Sequence, residues 1–474
     1  MDTTKSEPFS LKKVIPMVLT IAAGMLLVMM DTTIMNIALP TLQHHFNTNL
    51  ATAQWCITAY TFALAAVTPL SGWLSDRLTA KRAFAGAIVL FTIFSFMCTL
   101  STSISMMITF RALQGLAGGI VGPVGMALSW QVVPTDKRGA LMGLLGLPMV
   151  VAPIVGPLLC GWLLKVATWH AIFFINIPIG ILSLILIEIF IPLNKTNIKD
   201  PFDWRGMLLG PSGFLSLLYA IHRLSNHGLS DPLTSGLFLL GIVLVGLFYF
   251  NELHQPKPLM AVQAFKSGQF TRGISVSWLN QIVFFGVTLL VPLFLQTAKG
   301  FTALHAGEMI IPQALASFVG MIIGGQLFDR WGIRAVALPG IAVMAGGVMA
   351  LTQLTSSTTS LQLIFMIIAV GLGQGMTTMQ ISTYNLSVAP KNVVTRITPM
   401  INSTQQIVNS LAVVLLTNVL TKNIKHAMSL HATSMAMMKS HVILAYGHTF
   451  IVPLCILVAS WLMVLTLTKP KEQD

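Results

Sequence analysis

Run after run of this chain extends for about twenty residues with at most one charge, and that pattern decides the class of fold. The runs lie near residues 14–39, 51–73, 83–103, 106–131, 139–164 and 170–192, then 204–222 and 233–251, then 270–296, 303–327, 334–354, 361–387, 396–420 and 441–467. A bilayer core of about 30 Å takes about 20 apolar residues as a helix, because no water is present there to bond an exposed backbone group. The expectation is an all-α integral membrane protein with fourteen transmembrane helices. Composition agrees: 55% of the 474 residues are apolar and 9% charged, against about 25% charged in a soluble chain.

The formal charge of +13 would suggest a nucleic-acid partner in a soluble protein, but here the basic residues are scattered between apolar runs rather than massed on one face. With the N-terminus cytoplasmic, 20 of the 27 Lys and Arg fall on inner loops and tails, among them Lys12, Lys13, Arg77, Arg82, Lys137, Arg330 and Arg396. By the positive-inside rule both ends are then cytoplasmic, which requires an even helix count, and no nucleic-acid partner is expected. The first apolar run is too long for the core of a cleaved signal and reads as a retained helix. Cys56, Cys98, Cys160 and Cys455 all lie in apolar runs without C-x-x-C spacing, so no disulfide framework, metal or other cofactor is expected. The eleven histidines fall mostly on outer segments or helix edges, where solvation accounts for them.

The chain repeats itself. Gly72-Trp73-Leu74-Ser75-Asp76-Arg77 closes the second run of the first six, and Gly325-Gln326-Leu327-Phe328-Asp329-Arg330 closes the second run of the last six. Gln114-Gly115 and Gln374-Gly375 recur in the fourth run of each set at nearly the same offset. Two related six-helix halves are how many secondary transporters are built, with a substrate path between them near the midplane. The expected organisation is a tail at 1–13, a first half at 14–192, a linker region with two additional helices at 193–267, a second half at 268–467, and a tail at 468–474.

Several segments carry a resemblance to a known family. Met30-Asp31-Thr32-Thr33-Ile34-Met35-Asn36-Ile37-Ala38-Leu39-Pro40 and Gln54-Trp55-Cys56-Ile57-Thr58-Ala59-Tyr60 resemble its first-helix signature and second-helix opening. Arg111-Ala112-Leu113-Gln114-Gly115 fits its fourth-helix motif, Gly156-Pro157-Leu158-Leu159-Cys160-Gly161 its fifth-helix antiporter motif, and Phe173-Phe174-Ile175-Asn176-Ile177-Pro178-Ile179-Gly180 completes the set. Over nearly its full length the chain resembles the fourteen-helix drug:proton antiporters of the major facilitator superfamily. It departs from them after the second helix: the usual Asp-Arg-x-Gly-Arg-Arg is replaced by Asp76-Arg77-Leu78-Thr79-Ala80-Lys81-Arg82, whereas the second copy keeps a glycine at Gly332. In the antiporter motif, Ala152 and Cys160 stand where the family has glycines.

Ionisable groups inside spans cost roughly 2.5 to 3.5 kcal/mol at mid-helix even on the permissive insertion scale, so each needs a reason. Asp31, Arg111, Glu188 and Glu308 are the ones singled out within spans or at their edges. Asp31 lies about 12 Å from the outer end of its helix at 1.5 Å per residue, and Arg111 enters from the outside to a comparable depth. Both are expected to face one cavity, where burial and a nearby guanidinium oppose each other in setting when the carboxyl binds a proton; a fixed ion pair is the alternative. The resemblance implies coupling or cation recognition at Asp31 and tuning of proton binding at Arg111. Glu188, four residues before Pro192, can reach the interface. Glu308 sits where a helix dipole favours a carboxylate.

Asn36, Gln54, Tyr60, Gln114, Asn280, Gln281 and Gln405 need polar partners within their spans and are the candidates to line a substrate cavity. The resemblance further implies a cytoplasmic latch formed by Gly72, Asp76 and Arg77 and by Asp329 and Arg330, with the first acid docking near Thr395 and Arg396. Pro153, Gly156, Pro157 and Gly161, with the glycines before them, suit a helix that bends and packs closely. No Walker A loop, H-E-x-x-H or G-x-S-x-G stands in a suitable context, so an enzyme is not expected. The resulting expectation is a plasma-membrane exporter that works as a monomer, binding small lipophilic cationic or neutral compounds and protons. With Asp31 as the clear deep carboxylate and no acid in the last four spans, strong selection for divalent cations is not expected. Export of an endogenous metabolite or lipid precursor, or a transport-inactive sensor, are the competing readings.

Overall fold

A computed structural model describes residues 11–133, 137–193, 203–301, 303–389, 394–429 and 435–468. The side chains of Asn36, Pro153 and Pro157 lie outside what it describes. In chain order the helices are α1 (Leu11–His45), α2 (Leu50–Val67), α3 (Leu70–Leu78), α4 (Ala80–Thr99), α5 (Ile104–Val132), α6 (Arg138–Leu144), α7 (Leu147–Val166), α8 (His170–Phe174) and α9 (Asn176–Phe190). Two more follow, α10 (Trp204–His227) and α11 (Pro232–His254), and a 3₁₀ turn at Val262–Lys266 leads into the rest. These are α12 (Gly268–Thr297), α13 (Ala303–Trp331), α14 (Ile333–Thr352), α15 (Ser360–Ser387), α16 (Val394–Ser429), α17 (Met435–Thr449) and α18 (Ile451–Val464).

Among the described residues, 11 helices are long and apolar enough to cross a membrane, or 12 when α2 and α3 count as one span bent by 58°. Helices over 138–166 and 204–227 occupy the places of the two remaining expected spans. The bend follows from Pro69, which has no N–H to continue the ladder. The α6–α7 break falls at Leu145 and Gly146, just before Pro148. Starts are set locally: Asn49, Ser103, Asp203, Asp231, Ser267 and Thr359 each accept a backbone N–H from the first turn that follows, the N-cap arrangement that satisfies otherwise orphaned donors.

Two apolar clusters dominate, one centred on the first half and reaching Phe270, Met379 and Ile397 of the second, the other within the second half. Ile21, Phe84, Ile88, Phe91 and Val121 are buried in the first, and Val283, Leu290, Phe294, Ile341 and Phe450 in the second. Large apolar side chains such as Trp162, Ile189, Leu239, Leu361 and Phe365 lie exposed on the outside, as a lipid-facing surface requires. The Gln-Gly repeat has a packing cause. A Cβ at Gly115 would run into the carbonyl oxygen of Tyr60, and one at Gly375 into that of Ser317. In both halves, then, the fourth span rests directly on the backbone of the second, α5 on α2 and α15 on α13, a close approach that only a missing side chain permits.

The halves meet through α3 and α5 against α16, and through α6 and α7 against α13. The helix pair α10–α11 packs along its own length as an antiparallel hairpin, and α10 also rests on α2 of the first half and α16 of the second.

One turn is strained in one half and not the other. Thr79 has φ 84° and ψ 147°, whereas Gly332, three residues after the matching acid, has φ 79° and ψ −173°. This region of backbone space suits glycine and costs a β-branched residue about 1–3 kcal/mol. Thr79 recovers part of this by accepting the N–H of Arg82 at 3.3 Å. Thr79→Gly is therefore expected to stabilise the protein by about 1 kcal/mol, the strain relief exceeding the lost cap. A thermal melt in detergent checks this, and a lowered midpoint would contradict it.

Candidate functional site

The polar centre of the first half is Asp31, halfway along α1. Arg111 of α5 donates from Nη1 to Asp31 Oδ2 at 2.5 Å and to Gln114 Oε1 at 2.7 Å. Gln114 Nε2 and Asn176 Nδ2 donate to Asp31 Oδ1 at 3.1 and 3.0 Å. Arg111 Nε also donates to the carbonyl oxygen of Cys56 at 3.3 Å, and its guanidinium lies 4.2 Å from the ring centre of Tyr60. Asp31 is 2% exposed and Arg111 and Gln114 are 0%. A buried pair holds its charge only when geometry is good and the remaining donors and acceptors are also met; here α1, α2, α5 and α9 each supply part of the shell. Every described bond to Asp31 uses the carboxylate as an acceptor, so a proton added to it removes the anion that Arg111 faces.

Tyr60 and Gln114 thus belong to a sealed network inside the first half, and the Tyr60 hydroxyl has no partner. Asn176 lies within the Phe173–Gly180 motif, which by itself assigns it no role. Its amide also donates to Ser95 Oγ at 2.9 Å, and Ser95 in turn donates to the carbonyl oxygen of Phe173 at 3.0 Å. Its signal was available: an amide in an otherwise apolar helix start. Thr33, two residues beyond Asp31, donates to the carbonyl oxygen of Ala152 at 3.1 Å, and a Cβ at Gly156 would strike its hydroxyl. The antiporter-motif helix α7 therefore bears directly on α1 beside the acid. Gly161 has open space around it.

Of the other cavity candidates, Gln54 is exposed, Gln281 and Gln405 are half-buried, and Asn280 is buried with both amide atoms lacking a partner. The Asn36 side chain is not among those described. Glu188 is exposed and pairs with buried Lys81 at 3.0 Å, and Glu308 pairs with His305 at 3.2 Å.

Two contacts lock the halves at one end. Asp76 Oδ2 accepts from Arg396 Nε at 2.9 Å, while a Cβ at Gly72 would meet the carbonyl oxygen of Thr395. Among the described residues the link runs through the guanidinium. In the second copy, Asp329 accepts from the N–H groups of Gly139 and Ala140 at 2.6 and 3.0 Å, and Gly325 lies against the backbone of those two residues. Arg77 and Arg330 are exposed beside these acids.

One acidic pair corrects the count of ionisable groups in spans. Helix α11 extends to His254 instead of ending near 251, which takes Glu252 into the bundle at 0% exposure. Asp203, 9% exposed, caps α10 beside it. Asp31 is therefore not the only deeply buried carboxylate. At the end of a run Glu252 looks like an interfacial charge, and only the hairpin with α10 reveals its burial.

Comparison with known proteins agrees with the architecture. The family profile described as Major Facilitator Superfamily matches residues 21–413. The chain is 30% identical over 413 residues to the uncharacterized MFS-type transporter YhcA of Bacillus subtilis (strain 168), covering 86% of this chain and 77% of that one. It is 33% identical over 325 residues to MdtD of Yersinia pestis (strain Pestoides F), which carries the name of a multidrug resistance protein, covering 69% and 70%. Among solved structures, the fold matches the human organic anion transporter MFSD10 with a TM-score of 0.66 at 12% identity, over 93% of this chain and 99% of that one. It matches the proton:xylose symporter XylE with a TM-score of 0.65 at 13% identity, over 95% and 96%. An all-helical chain with repeated halves, related in sequence and fold to transporters, belongs to the Major Facilitator Superfamily and is a multi-span membrane transporter.

Proposed function

We propose that the protein is a proton-coupled efflux antiporter that exports lipophilic cationic or neutral compounds by alternating access. The observation that carries this reading is the Asp31–Arg111 pair, 2.5 Å apart and sealed from water with Gln114 and Asn176. Protonation of Asp31 breaks a charge-assisted bond that neither partner can replace from solvent. Proton arrival is thereby tied to rearrangement of α1 against α5. Through Thr33 that rearrangement reaches α7, and through α6, which the chain joins to α7, it reaches the Asp329 contact between the halves. The drug-resistance name of MdtD supports a drug-like substrate.

In this reading the end carrying Asp76 and Asp329 is cytoplasmic and the described conformation is closed to the cytoplasm. Fourteen spans, two cytoplasmic termini, a plasma-membrane location and a working monomer complete it; the 20 inner basic residues and the helices over 138–166 and 204–227 support that topology. One net charge moved across 100 mV is worth about 2.3 kcal/mol, which sustains a gradient of roughly fiftyfold. Exchange of a neutral compound for a proton draws on that potential, while exchange of a monocation for one proton depends on the pH gradient alone.

In inside-out vesicles loaded with acid, lipophilic cations or neutral drugs are expected to release protons from the lumen. Asp31→Asn should reduce that signal at least tenfold in protein that remains folded. Proton movement unchanged in Asp31→Asn would remove coupling from this site, and none with any compound would remove the antiport reading.

The latch makes its own prediction. Asparagine in place of Asp329 keeps one acceptor and loses the charge, a loss of about 1–2 kcal/mol. In a chain carrying Cys455→Ser, a cysteine reporter introduced by Met321→Cys sits where α13 meets Gly143 and Gly146. Asp329→Asn should increase its thiol-labelling rate about tenfold. An unchanged rate would show that Asp329 does not hold that seam shut.

A further inference from the structure

The hairpin of α10 and α11 brings two buried carboxyl groups together, Asp203 at 9% exposure and Glu252 at 0%. Asp203 Oδ1 accepts the N–H of Gly206 at 2.9 Å, and its Oδ2 accepts the side-chain amide of Asn251 at 2.9 Å. Glu252 Oε2 accepts the N–H of Met260 at 2.9 Å. The other oxygen, Glu252 Oε1, is buried and has no hydrogen-bond partner. It points at the same spot as Asp203 Oδ2: a Cβ built on Gly206 would meet both atoms at 2.5 Å. The two oxygens are thus at most about 5 Å apart across a glycine, the separation at which like charges in a water-poor site cannot both persist.

The described cations nearest in sequence, Arg205, Lys257 and Lys266, stand exposed at the surface, and His254, also exposed, has its Nδ1 on the carbonyl oxygen of Phe250. Arg272 of α12 donates to the carbonyl oxygen of Thr466, and Arg396 of α16 is engaged by Asp76. A proton shared between the two carboxyls gives Glu252 Oε1 its missing partner.

The pair also has a mechanical connection. Met260, held by Glu252, is followed by Ala261, whose N–H donates to the carbonyl oxygen of Arg396 at 3.0 Å. Arg396 is the residue whose guanidinium closes the Asp76 latch. Two adjacent linker residues, Met260 and Ala261, therefore connect the carboxyl pair to the backbone of the latch.

We propose that Asp203 and Glu252 form a second proton-binding site, separate from Asp31, whose protonated state holds the Asp76–Arg396 latch closed and whose deprotonation favours its opening. With the proton present, the start of α10 and the end of α11 stay together and the Met260–Ala261 strap holds the start of α16. When it leaves, two adjacent buried anions repel, Glu252 turns toward water, and the strap and Arg396 are freed. The latch in this argument is the gate of the alternating-access reading, but the proton site itself does not depend on that reading.

The test has two readouts on purified full-length protein. The first is infrared absorption of protonated carboxyl groups at neutral pH, recorded without substrate. A protonated-carboxyl band is expected in the native chain, lost in Glu252→Gln and in Asp203→Asn, and retained in Asp31→Asn. Absence of any component sensitive to Glu252→Gln, with the fold verified by circular dichroism, would overturn the shared proton. Displacement of the band by sodium chloride at constant ionic strength would overturn it in favour of a cation site.

The second readout is thiol labelling, as pH is raised, of a Ser75→Cys, Cys455→Ser chain, whose reporter is 3% exposed beside Asp76 on α3. Divided at each pH by the rate of a small free thiol, which removes the reporter's own ionisation, labelling is expected to accelerate by at least about tenfold across the titration of the band, as loss of one linked proton allows. That ratio should change by less than about twofold over the same range when Glu252→Gln is added. A band that titrates while labelling stays flat would overturn the link to the latch. Failure of antiport by Asp31 leaves the band and its titration untouched, so the two proposals fail separately.

Discussion

A carboxylate that cannot reach water needs its charge and its lone pairs met by the protein, and the first half of this chain is arranged around one such group. Asp31 draws its donors from α5 and α9, and Arg111 beside it draws further contacts from the carbonyl of Cys56 and the ring of Tyr60 on α2. Four helices are thereby held in register by bonds that are short, charge-assisted and shielded from solvent. Apolar packing alone does not specify register in a bilayer, since lipid tails are as apolar as leucine. The buried pair supplies that specificity.

The two halves meet by reciprocal use of one device. In each, an acid at the end of the second span crosses to the other half, and a glycine four residues before it lets the backbones touch: Gly72 and Asp76 against α16, Gly325 and Asp329 against α6. The receiving partners differ. Arg396 meets the first acid with a side chain, whereas Gly139 and Ala140 meet the second with peptide N–H groups. A guanidinium on a flexible stem can follow its partner over some distance, and a pair of peptide donors cannot, so the two contacts yield to displacement differently.

How much was legible in the sequence differs between helices and contacts. The spans could be read because a bilayer demands about twenty apolar residues and the chain supplies them with few interruptions. The pairing of Asp31 with Arg111 could be anticipated because depth along a helix is arithmetic. The 58° bend after Val67 was not anticipated: the run near 51–73 reads as one span, and Pro69 alone does not say whether a helix ends or continues at an angle. Asn176 escaped notice because a single amide near a helix start looks like an end rather than a partner. Glu252 was invisible for a similar reason, since its burial comes from α10 and from the linker after α11, neither of which a local window contains.

The added helix pair makes the molecule one-sided toward the lipid. Helix α10 lies on α2 and α16, one from each half, with shallow apolar grooves on its two sides lined by Trp55, Phe62 and Tyr219 and by Leu224, Val414 and Leu415. A compound dissolved in the bilayer that approaches from this side meets α10 before it meets the junction between the halves. The opposite junction, where α13 faces α6 and α7, has no such screen among the described helices. The surface offered to the bilayer is thus unequal around the circumference: a described helix stands before one junction between the halves and none before the other.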